Sequence, residues 1–219
     1  MRRRDLLRVA RRVAGILGSD GVLVGGLAVG AHGYLRATGD VDFVTRLPLK
    51  EAQTRLQAGG VPTTLQRGDP LEGGFSCLRG VLEDVRIDVM PLLVPLDWER
   101  SIEMAWTRGP RLRVVDLDGL LRLKFRAGGP KDLMDAAALA LRHPDHRDKG
   151  RELAMAYGVG ETFETWLGDR RLRAEIERER AGEGSTESAP RRARTPRRGQ
   201  GSRPPGGRLK PAPRARGGR

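Results

Sequence analysis

The residues best suited to chemistry are two aspartates, Asp40 and Asp42, which are separated by one residue in an apolar, strand-like run. Side chains on a strand alternate between its two faces, so both carboxylates are expected to point the same way while Val41 and Phe43 enter the core. Two carboxylates about 7 Å apart along one strand face can share a divalent cation. The pair therefore predicts a divalent-cation site on this strand.

A glycine pair, Gly25 and Gly26, lies between a short apolar strand, Val22–Val24, and a predicted helix over Leu27–Leu35. Glycines at such a turn leave backbone N–H groups uncovered at the start of the helix, where a phosphate is favoured. The turn and the acidic strand form one compact unit over residues 22–44. A phosphate-binding turn beside a metal-binding strand indicates chemistry on a nucleoside triphosphate.

The order of these residues resembles that of the polymerase-beta-like nucleotidyltransferase superfamily. The shared pattern is a glycine pair followed, after a helix-length spacer, by His-Gly-x-x-Arg-x-Thr-x-Asp-x-Asp. It is carried here by Gly25, Gly26, His32, Gly33, Arg36, Thr38, Asp40 and Asp42. Within the superfamily the string is most similar to minimal members and to the nucleotidyltransferase-like toxins of abortive-infection toxin–antitoxin pairs. An Asp-x-Asp pair alone also occurs by chance, but the glycine turn and the Arg-x-Thr lead-in make the whole string more specific.

A third carboxylate, Asp88, lies inside a later predicted strand, Asp84–Met90. Apolar and polar residues alternate there, with Arg86, Asp88 and Met90 on one face, a period typical of a half-buried strand. Aspartate is disfavoured within strands, which favours a functional role over an exposed structural one. The resemblance implies that this carboxylate shares the metal with the first two aspartates and acts as the base toward the acceptor hydroxyl.

The run Lys124–Leu139, KFRAGGPKDLMDAAAL, resembles the same toxin-like relatives, which carry a lysine and a Lys-Asp-x-x-Asp element at this point. The resemblance implies that Lys124 faces the triphosphate, with Lys131 as a second candidate. Asp132 and Asp135 have two interpretations that the sequence leaves equally open. They are acids stabilised by the dipole at the start of a helix, or they are members of the site.

The resemblance implies transfer of a nucleoside monophosphate from a nucleoside triphosphate (NTP) to an acceptor hydroxyl, with release of pyrophosphate. Two Mg²⁺ ions, or Mn²⁺, are the implied cofactors, held by Asp40, Asp42 and Asp88. The implied nucleotide-binding residues are Gly25, Gly26, Arg36, Thr38, Lys124 and Lys131. The acceptor is expected to be RNA, such as a tRNA end, or a protein side chain, and a cognate antitoxin is an expected partner. Two alternatives stay open: an aminoglycoside-type small-molecule acceptor, and a non-catalytic nucleotide- or RNA-binding module.

The positive charge of the chain is concentrated at its carboxyl end. The formal net charge is +13, and residues 182–219 hold 11 Lys and Arg against 2 Glu. This segment also has eight Gly, six Pro and no aromatic residue, so it is expected to bury too little apolar area to become ordered. Its attraction to the phosphates of a nucleic acid would be electrostatic and independent of base sequence, and a solubilising tail with no partner stays an open alternative.

The predicted fold class is α+β, with a small mixed sheet flanked by helices. The expected domains are a catalytic domain over residues 1–95, a helical lobe over 96–181 that completes the nucleotide cleft, and a disordered tail over 182–219. A short helical patch is expected around Trp98–Trp106. The single cysteine, Cys77, is expected to be a core residue and fits a cytoplasmic protein, and no apolar stretch is long enough to span a membrane.

Overall fold

A computed structural model of the protein describes residues 3–68, 75–104 and 112–187. The helices in these ranges are α1 (Arg3–Leu17), α2 (Gly25–Ala31), α3 (Leu49–Ala58), α4 (Leu117–Ala127), α5 (Pro130–Arg142), α6 (Arg147–Ala156), α7 (Gly160–Gly168) and α8 (Arg170–Glu187). The strands are β1 (Gly21–Val24), β2 (Asp40–Thr45), β3 (Thr63–Gln66), β4 (Cys77–Leu82), β5 (Val85–Pro91), β6 (Ile102–Met104) and β7 (Leu112–Val114). The predicted disordered tail begins at residue 182, but α8 continues through residues 182–187. The rest of the predicted tail, from residue 188 onward, falls outside the described residues.

These strands join one mixed sheet in the order β3-β4-β5-β2-β1-β7-β6. β2 is parallel to β5 and β1 is parallel to β7, whereas the other neighbouring strands are antiparallel. Parallel neighbours need a long connection, and the chain between β2 and β5 supplies it with α3, β3 and β4. The predicted α+β class is confirmed, with a mixed sheet flanked by helices and a helical lobe after it.

The central strands are buried because their sequences are almost wholly apolar. β1 is buried along its whole length, and Val41, Phe43 and Val44 of β2 are fully shielded from solvent. Asp40 and Asp42 occupy the two partly exposed positions of β2, as the period of two predicts. The sheet therefore holds both carboxylates on the same face of a rigid element.

Helix α2 begins earlier and ends earlier than predicted, over Gly25–Ala31 rather than Leu27–Leu35. Its start is set by Gly25, whose φ of +64° turns the chain directly from β1 into the helix. Beyond its end, Gly33 has a φ of +96° and the backbone N–H of Tyr34 donates to the carbonyl of Val29. The glycine pair is therefore the first part of the helix, not a loop that precedes it.

Two strands extend the sheet beyond the predicted boundary at residue 95. β6 pairs with β7, and β7 pairs in parallel with β1. A helical patch is predicted around Trp98–Trp106, and this prediction is wrong over β6, which is a strand. The pairing of β6 with β7 decides the local conformation there. Trp106 lies outside the described residues. Trp98 donates from Nε1 to the carbonyl of Ser19 at 2.8 Å and so connects this segment to the turn that precedes β1. The division into domains stays a prediction.

The helical lobe places its charged residues through a tight connection between α4 and α5. Asp116 caps the start of α4 by accepting a backbone N–H, and Gly128 ends that helix in the left-handed conformation. α5 begins two residues later, at Pro130, a favoured first helical residue. The turn brings Lys124, near the end of α4, beside Asp132 in the first turn of α5.

Two expectations from composition concern the described part of the chain. Cys77 is buried at the start of β4, and burial raises the pKa of its thiol. It is therefore a core residue there and poorly suited to act as a nucleophile.

None of the helices within residues 3–68, 75–104 and 112–187 combines the length and apolar character that crossing a bilayer requires.

Candidate active site

The acidic face of the sheet is created by the parallel pairing of β2 with β5. The register of these strands sets Asp42 opposite Asp88 and Asp40 opposite Arg86. On the far side of β5, the antiparallel strand β4 sets Arg79 opposite Asp88. Residues directly opposite each other share a face of the sheet, so three carboxylates and two guanidinium groups lie together. We refer to Asp40, Asp42 and Asp88 as the carboxylate face.

The carboxylate of Asp42 is largely buried, and the positive charges near it do not offset the cost of ionising it there. Burial raises the pKa of its carboxyl group, and the charges of Asp40 and Asp88 raise it further, to about 7. Lys124 and Arg86 act in the opposite direction without offsetting these effects. The carboxylate accepts no hydrogen bond from the described residues. The ionised form of Asp42 is therefore unfavourable in the metal-free protein, and a nearby cation would stabilise it.

The pKa of Asp40 is lowered, whereas that of Asp42 is raised, although both residues lie on the same face of β2. Burial alone would raise the pKa of its carboxyl group, but the Thr38 hydroxyl and the Arg86 guanidinium outweigh burial and lower it. Thr38 Oγ1 donates to Oδ1 at 2.7 Å, and Arg86 Nη2 donates to Oδ2 at 2.5 Å. The two carboxylates thus differ in their preferred charge state at neutral pH because their partners differ.

Asp88 is held by two arginines. Arg79 donates to its two oxygens from Nε at 2.8 Å and from Nη2 at 3.4 Å, and Arg86 Nε lies 3.5 Å from Oδ2. The side chain of Asp88 is 13% exposed, whereas both arginines are about half exposed. Arg86 therefore bridges Asp88 and Asp40 at the outer edge of the carboxylate face.

The three carboxylates offer the oxygen ligands that a hard divalent cation prefers. Among residues 3–68, 75–104 and 112–187, however, no group of three acidic, histidine or cysteine side chains is arranged to hold a metal ion. In this arrangement Asp40 and Asp88 direct oxygens toward arginines. The donor chemistry fits a divalent cation, and these side chains must turn away from the arginines to bind one.

The glycine turn packs against the carboxylate face at the end of β1. A Cβ atom on Gly25 would lie 1.9 Å from Asp42 Oδ2, and one on Gly26 would lie 2.5 Å from Thr38 Oγ1. Gly25 also has a φ of +64°, which residues with a side chain rarely adopt. Glycine is therefore required at both positions for the turn to approach the acidic strand so closely.

We expect Gly25→Ala to lower the free energy of unfolding by about 2–4 kcal/mol, because the added methyl group displaces the Asp42 carboxylate and strains the backbone. Urea unfolding followed by circular dichroism measures this loss. Gly18→Ala is the matched control, since Gly18 has a φ of +60° and nothing within 4 Å of the added atom. The control should lose only the backbone contribution, about 1 kcal/mol. Equal losses in the two variants would contradict a collision at Asp42.

Two basic side chains reach the site from outside the sheet, and Asp135 holds both. Asp135 is fully buried in α5 and accepts from Arg36 Nε at 2.5 Å and Arg36 Nη2 at 2.6 Å. Lys124 Nζ lies 2.8 Å from the same carboxylate and donates to Asp132 at 2.7 Å. The side chains of Arg36 and Lys124 are only 11% and 7% exposed. One buried carboxylate therefore fixes two cations, and we call these four residues the ion network.

The carboxylate face and the ion network meet at one cleft of about 660 Å³. Its polar and glycine lining consists of Gly25, Gly26, Arg36, Asp40, Asp42, Lys124, Arg126, Lys131 and Asp132. Its apolar lining consists of Val24, Phe75, Met90, Leu93, Leu120, Leu123 and Ala127. A cleft of this size, with apolar walls and a few convergent charged groups, is typical of a small-molecule site.

Eight of the predicted site residues line this cleft: Gly25, Gly26, Arg36, Asp40, Asp42, Lys124, Lys131 and Asp132. The other three are neighbours of residues in this lining. Thr38 donates to Asp40, and Asp88 is opposite Asp42. Asp135 binds the side chains of Arg36 and Lys124. The structure therefore brings the predicted residues together, while their roles stay predictions.

Arg79, Arg86 and the apolar wall that includes Phe75 are missed by sequence reasoning. The alternation along β5 already sets Arg86 on the face of Asp88, so only its proximity to Asp40 could not be foreseen. No comparable signal marks Arg79, because its position depends on how β4 pairs with β5. Phe75, which is 41% exposed, lies far from the motif in sequence and joins the cleft only in the folded chain.

No family model and no curated protein matches this sequence. Several solved structures share part of its architecture. A Thermotoga maritima protein, described provisionally as a nucleotidyltransferase, is 18% identical with a TM-score of 0.48, and the match covers 58% of this chain and 88% of that chain. The antibiotic-resistance factor ANT(2″)-Ia is 14% identical with a TM-score of 0.40, covering 83% of this chain and 98% of that chain. An antigenic nucleotidyltransferase-like protein from Paracoccidioides brasiliensis is 14% identical with a TM-score of 0.42, and the match covers 84% of this chain and 92% of that chain. With TM-scores below 0.5, none of these likenesses shows a shared activity.

Proposed function

We propose that this protein is a metal-dependent nucleotidyltransferase, which transfers a nucleoside monophosphate from an NTP to an acceptor hydroxyl. One observation carries the proposal: the carboxylate face and the fixed cations Arg36 and Lys124 meet at a single cleft. Carboxylates suit a divalent cation, and fixed cations suit the triphosphate that such a cation accompanies. Either half alone would support only metal binding or anion binding.

In the proposed reaction, the oxygen of the acceptor hydroxyl attacks the α-phosphorus of the nucleotide. The bond from that phosphorus to its bridging oxygen breaks, and pyrophosphate leaves. Asp88 accepts the proton of the hydroxyl as a general base. Two Mg²⁺ ions, or Mn²⁺, when bound, offset the phosphate charge and lower the pKa of the hydroxyl, and Asp40, Asp42 and Asp88 are the residues that would hold them.

The cations of the ion network act on the triphosphate in this proposal. Arg36 and Lys124 are already fixed by Asp135, so they need not reorganise while charge develops on the leaving pyrophosphate. Lys131 lines the same cleft and adds a further positive charge. Gly25 and Gly26 belong to the cleft lining, where their backbone is available to a phosphate group. The hydroxyl of Thr38 supports Asp40 beside them.

The acceptor that we propose is RNA, such as a tRNA end, or a protein side chain. Cations beside the proposed reaction centre support this choice, because Arg126 and Lys131 line the cleft and Arg79 and Arg86 flank the carboxylate face. On the resemblance of residues 124–139, we further propose that the protein acts in the cytosol as the toxin of a toxin–antitoxin pair.

The proposal is tested by incubating the protein with each labelled NTP, MgCl₂ and one of three acceptor pools: total RNA, cell protein or an aminoglycoside mixture. The expected result is label in RNA or protein together with release of pyrophosphate. Label in the aminoglycosides alone would favour a small-molecule acceptor. NTP binding without any transfer of label would favour a non-catalytic nucleotide-binding module.

We expect Asp88→Asn to lower kcat by about 10²–10⁴-fold, the usual contribution of a general base, while the Kd for NTP changes by less than about threefold. Single-turnover transfer and calorimetric NTP titration measure the two quantities separately. Arg79→Gln is the matched control, since it removes a partner of Asp88 but keeps the carboxylate. If Asp88→Asn lost NTP binding while the bound enzyme reacted at the normal rate, Asp88 would belong to the donor site and would not be the base.

A further inference from the structure

Arg86 contacts two of the three carboxylates of the carboxylate face. Its Nη2 donates to Asp40 Oδ2 at 2.5 Å, and its Nε lies 3.5 Å from Asp88 Oδ2. The register of β5 explains both contacts, because Arg86 is opposite Asp40 and two residues from Asp88 on one face of the strand. The guanidinium group therefore spans the outer edge of the face.

These contacts oppose the arrangement that a divalent cation needs. Asp40 and Asp88 each direct an oxygen toward Arg86, and within the described ranges no three potential ligands are arranged around a common point. A carboxylate oxygen that accepts a charged hydrogen bond is engaged in that direction and is not free to bind a metal there. A cation that enters between Asp40 and Asp88 must therefore compete with the guanidinium group.

Arg86 is also placed so that it can leave. Its side chain is 52% exposed, whereas Arg36, in the pair with the fully buried Asp135, is 11% exposed. Ion pairs in contact with water are weak, because solvent screens them and the long side chain regains freedom when the pair opens. The Arg86 contacts are therefore the readily broken ones, and the ion network on the other side of the cleft is the fixed one.

We propose that Arg86 is a positioning residue that acts as a resident counter-cation: it holds Asp40 and Asp88 in the metal-free protein and competes with the divalent cation for them. The proposal rests on the proposed function, because the competing cation is the one assigned to that reaction. Binding of the cation and release of the guanidinium group are then a single linked event. Arg86 lowers the affinity of the site for a divalent cation and stabilises the face in its absence.

The test is calorimetric titration of nucleotide-free protein with MnCl₂. Arg86→Gln should bind Mn²⁺ about three- to tenfold more tightly than the wild type, since two weak ion pairs no longer compete. Its melting temperature without metal should fall, and the rise on addition of MnCl₂ should exceed that of the wild type. Arg126→Gln is the matched control, because it removes one positive charge from the cleft lining but no ion-pair partner of Asp40 or Asp88, and its Mn²⁺ affinity should change less than about twofold.

Unchanged or weaker Mn²⁺ binding by Arg86→Gln would overturn the proposal, as would equal tightening in Arg126→Gln, which would show a general effect of charge. Arg86→Lys keeps the charge but not the bridging group, and its affinity should lie between those of the wild type and Arg86→Gln. Failure of the proposed function is seen separately in Asp42→Asn. If Asp42→Asn binds Mn²⁺ as tightly as the wild type does, the carboxylate face does not hold the metal. The same conclusion follows if neither the wild type nor any variant binds Mn²⁺. In either case both proposals fail.

Discussion

Asp42→Asn should lower transfer by about 10²–10³-fold or more and, in the same protein, raise the stability of the metal-free fold at pH 8. Transfer is lost because the amide removes one of the charges proposed to bind the divalent cation, and loss of a charge-stabilising group at a reaction centre has effects of this size. Stability rises because the ionised Asp42 is enclosed and lies beside Asp40 and Asp88. A functional side chain that destabilises the fold is expected to show both effects together.

The pH dependence of the stability gain follows from the direction of the pKa shift. The pKa of the Asp42 carboxyl group is about 7 in the folded protein, against an ordinary value of 3.8. The folded protein therefore binds this proton more tightly than the unfolded chain does. The resulting stability is fully present below about pH 4 and is lost as the pH rises through about 7. Three pH units correspond to at most about 4 kcal/mol, which Asp42→Asn would recover at pH 8.

Urea unfolding of the wild type and Asp42→Asn between pH 4 and pH 8 measures this gain, and the advantage of the variant should grow with pH. Asp40→Asn is the matched control on the same strand, because the pKa of Asp40 is lowered and its contribution has the opposite sign. That variant should lose stability at neutral pH, through the loss of its bonds to Thr38 and Arg86. A pH-independent difference for Asp42→Asn, or transfer at the wild-type rate, would contradict the role assigned to this residue.

Asp135→Asn should destabilise the protein by about 3–5 kcal/mol, the usual effect of removing one partner from a buried ion pair. The asparagine keeps the shape of the side chain but removes the charged partner of Arg36 and one of the two carboxylates that hold Lys124. The side chains of both cations are almost fully buried, so water cannot hydrogen-bond to them in place of the lost carboxylate. Chemical denaturation measures the change. Binding of NTP should also weaken, because Arg36 loses both of its charged hydrogen bonds and Lys124 keeps only Asp132.

Asp132→Asn provides the matched control within the same helix. Asp132 contacts Lys124 from a side chain that is 30% exposed, and the loss should stay below about 1 kcal/mol. Similar losses for the two variants would mean that Asp135 has no special role in holding the cations. A small loss for both, with NTP affinity unchanged, would show that the ion network does not position the nucleotide.

The alternation of apolar and polar residues determines which face of a strand each side chain occupies, and this feature can be predicted from the sequence. The alternation in β2 and β5 sets Asp40, Asp42 and Asp88 on partly exposed positions. A period of two depends only on neighbouring residues, so it tells which face of a strand a side chain occupies. The start of α2 is missed because a glycine with positive φ can begin a helix directly after a strand, and composition does not show this.

The folded chain gives Asp132 and Asp135, whose two interpretations stay open, different surroundings that the sequence does not show. Both lie near the start of a helix in sequence, where its dipole would favour an acid. Asp132 does lie in the first turn of α5, partly exposed, whereas Asp135 is fully buried against Arg36, which is 99 residues away in the chain. Burial and a distant partner are set by helix packing, and helical periodicity alone does not specify them.

The same distinction applies to the site as a whole. The sequence by itself determines that this chain carries an acidic strand, a glycine turn and a lysine-bearing helical run. The tertiary structure decides that β2 pairs in parallel with β5, which sets Asp88 beside Asp42 and Arg86 beside Asp40. It also decides that Asp135 holds Lys124 at the cleft that the carboxylates line. Periodicity specifies the face of an element but not its neighbour, because strand pairing and helix packing depend on contacts between residues that are far apart in sequence.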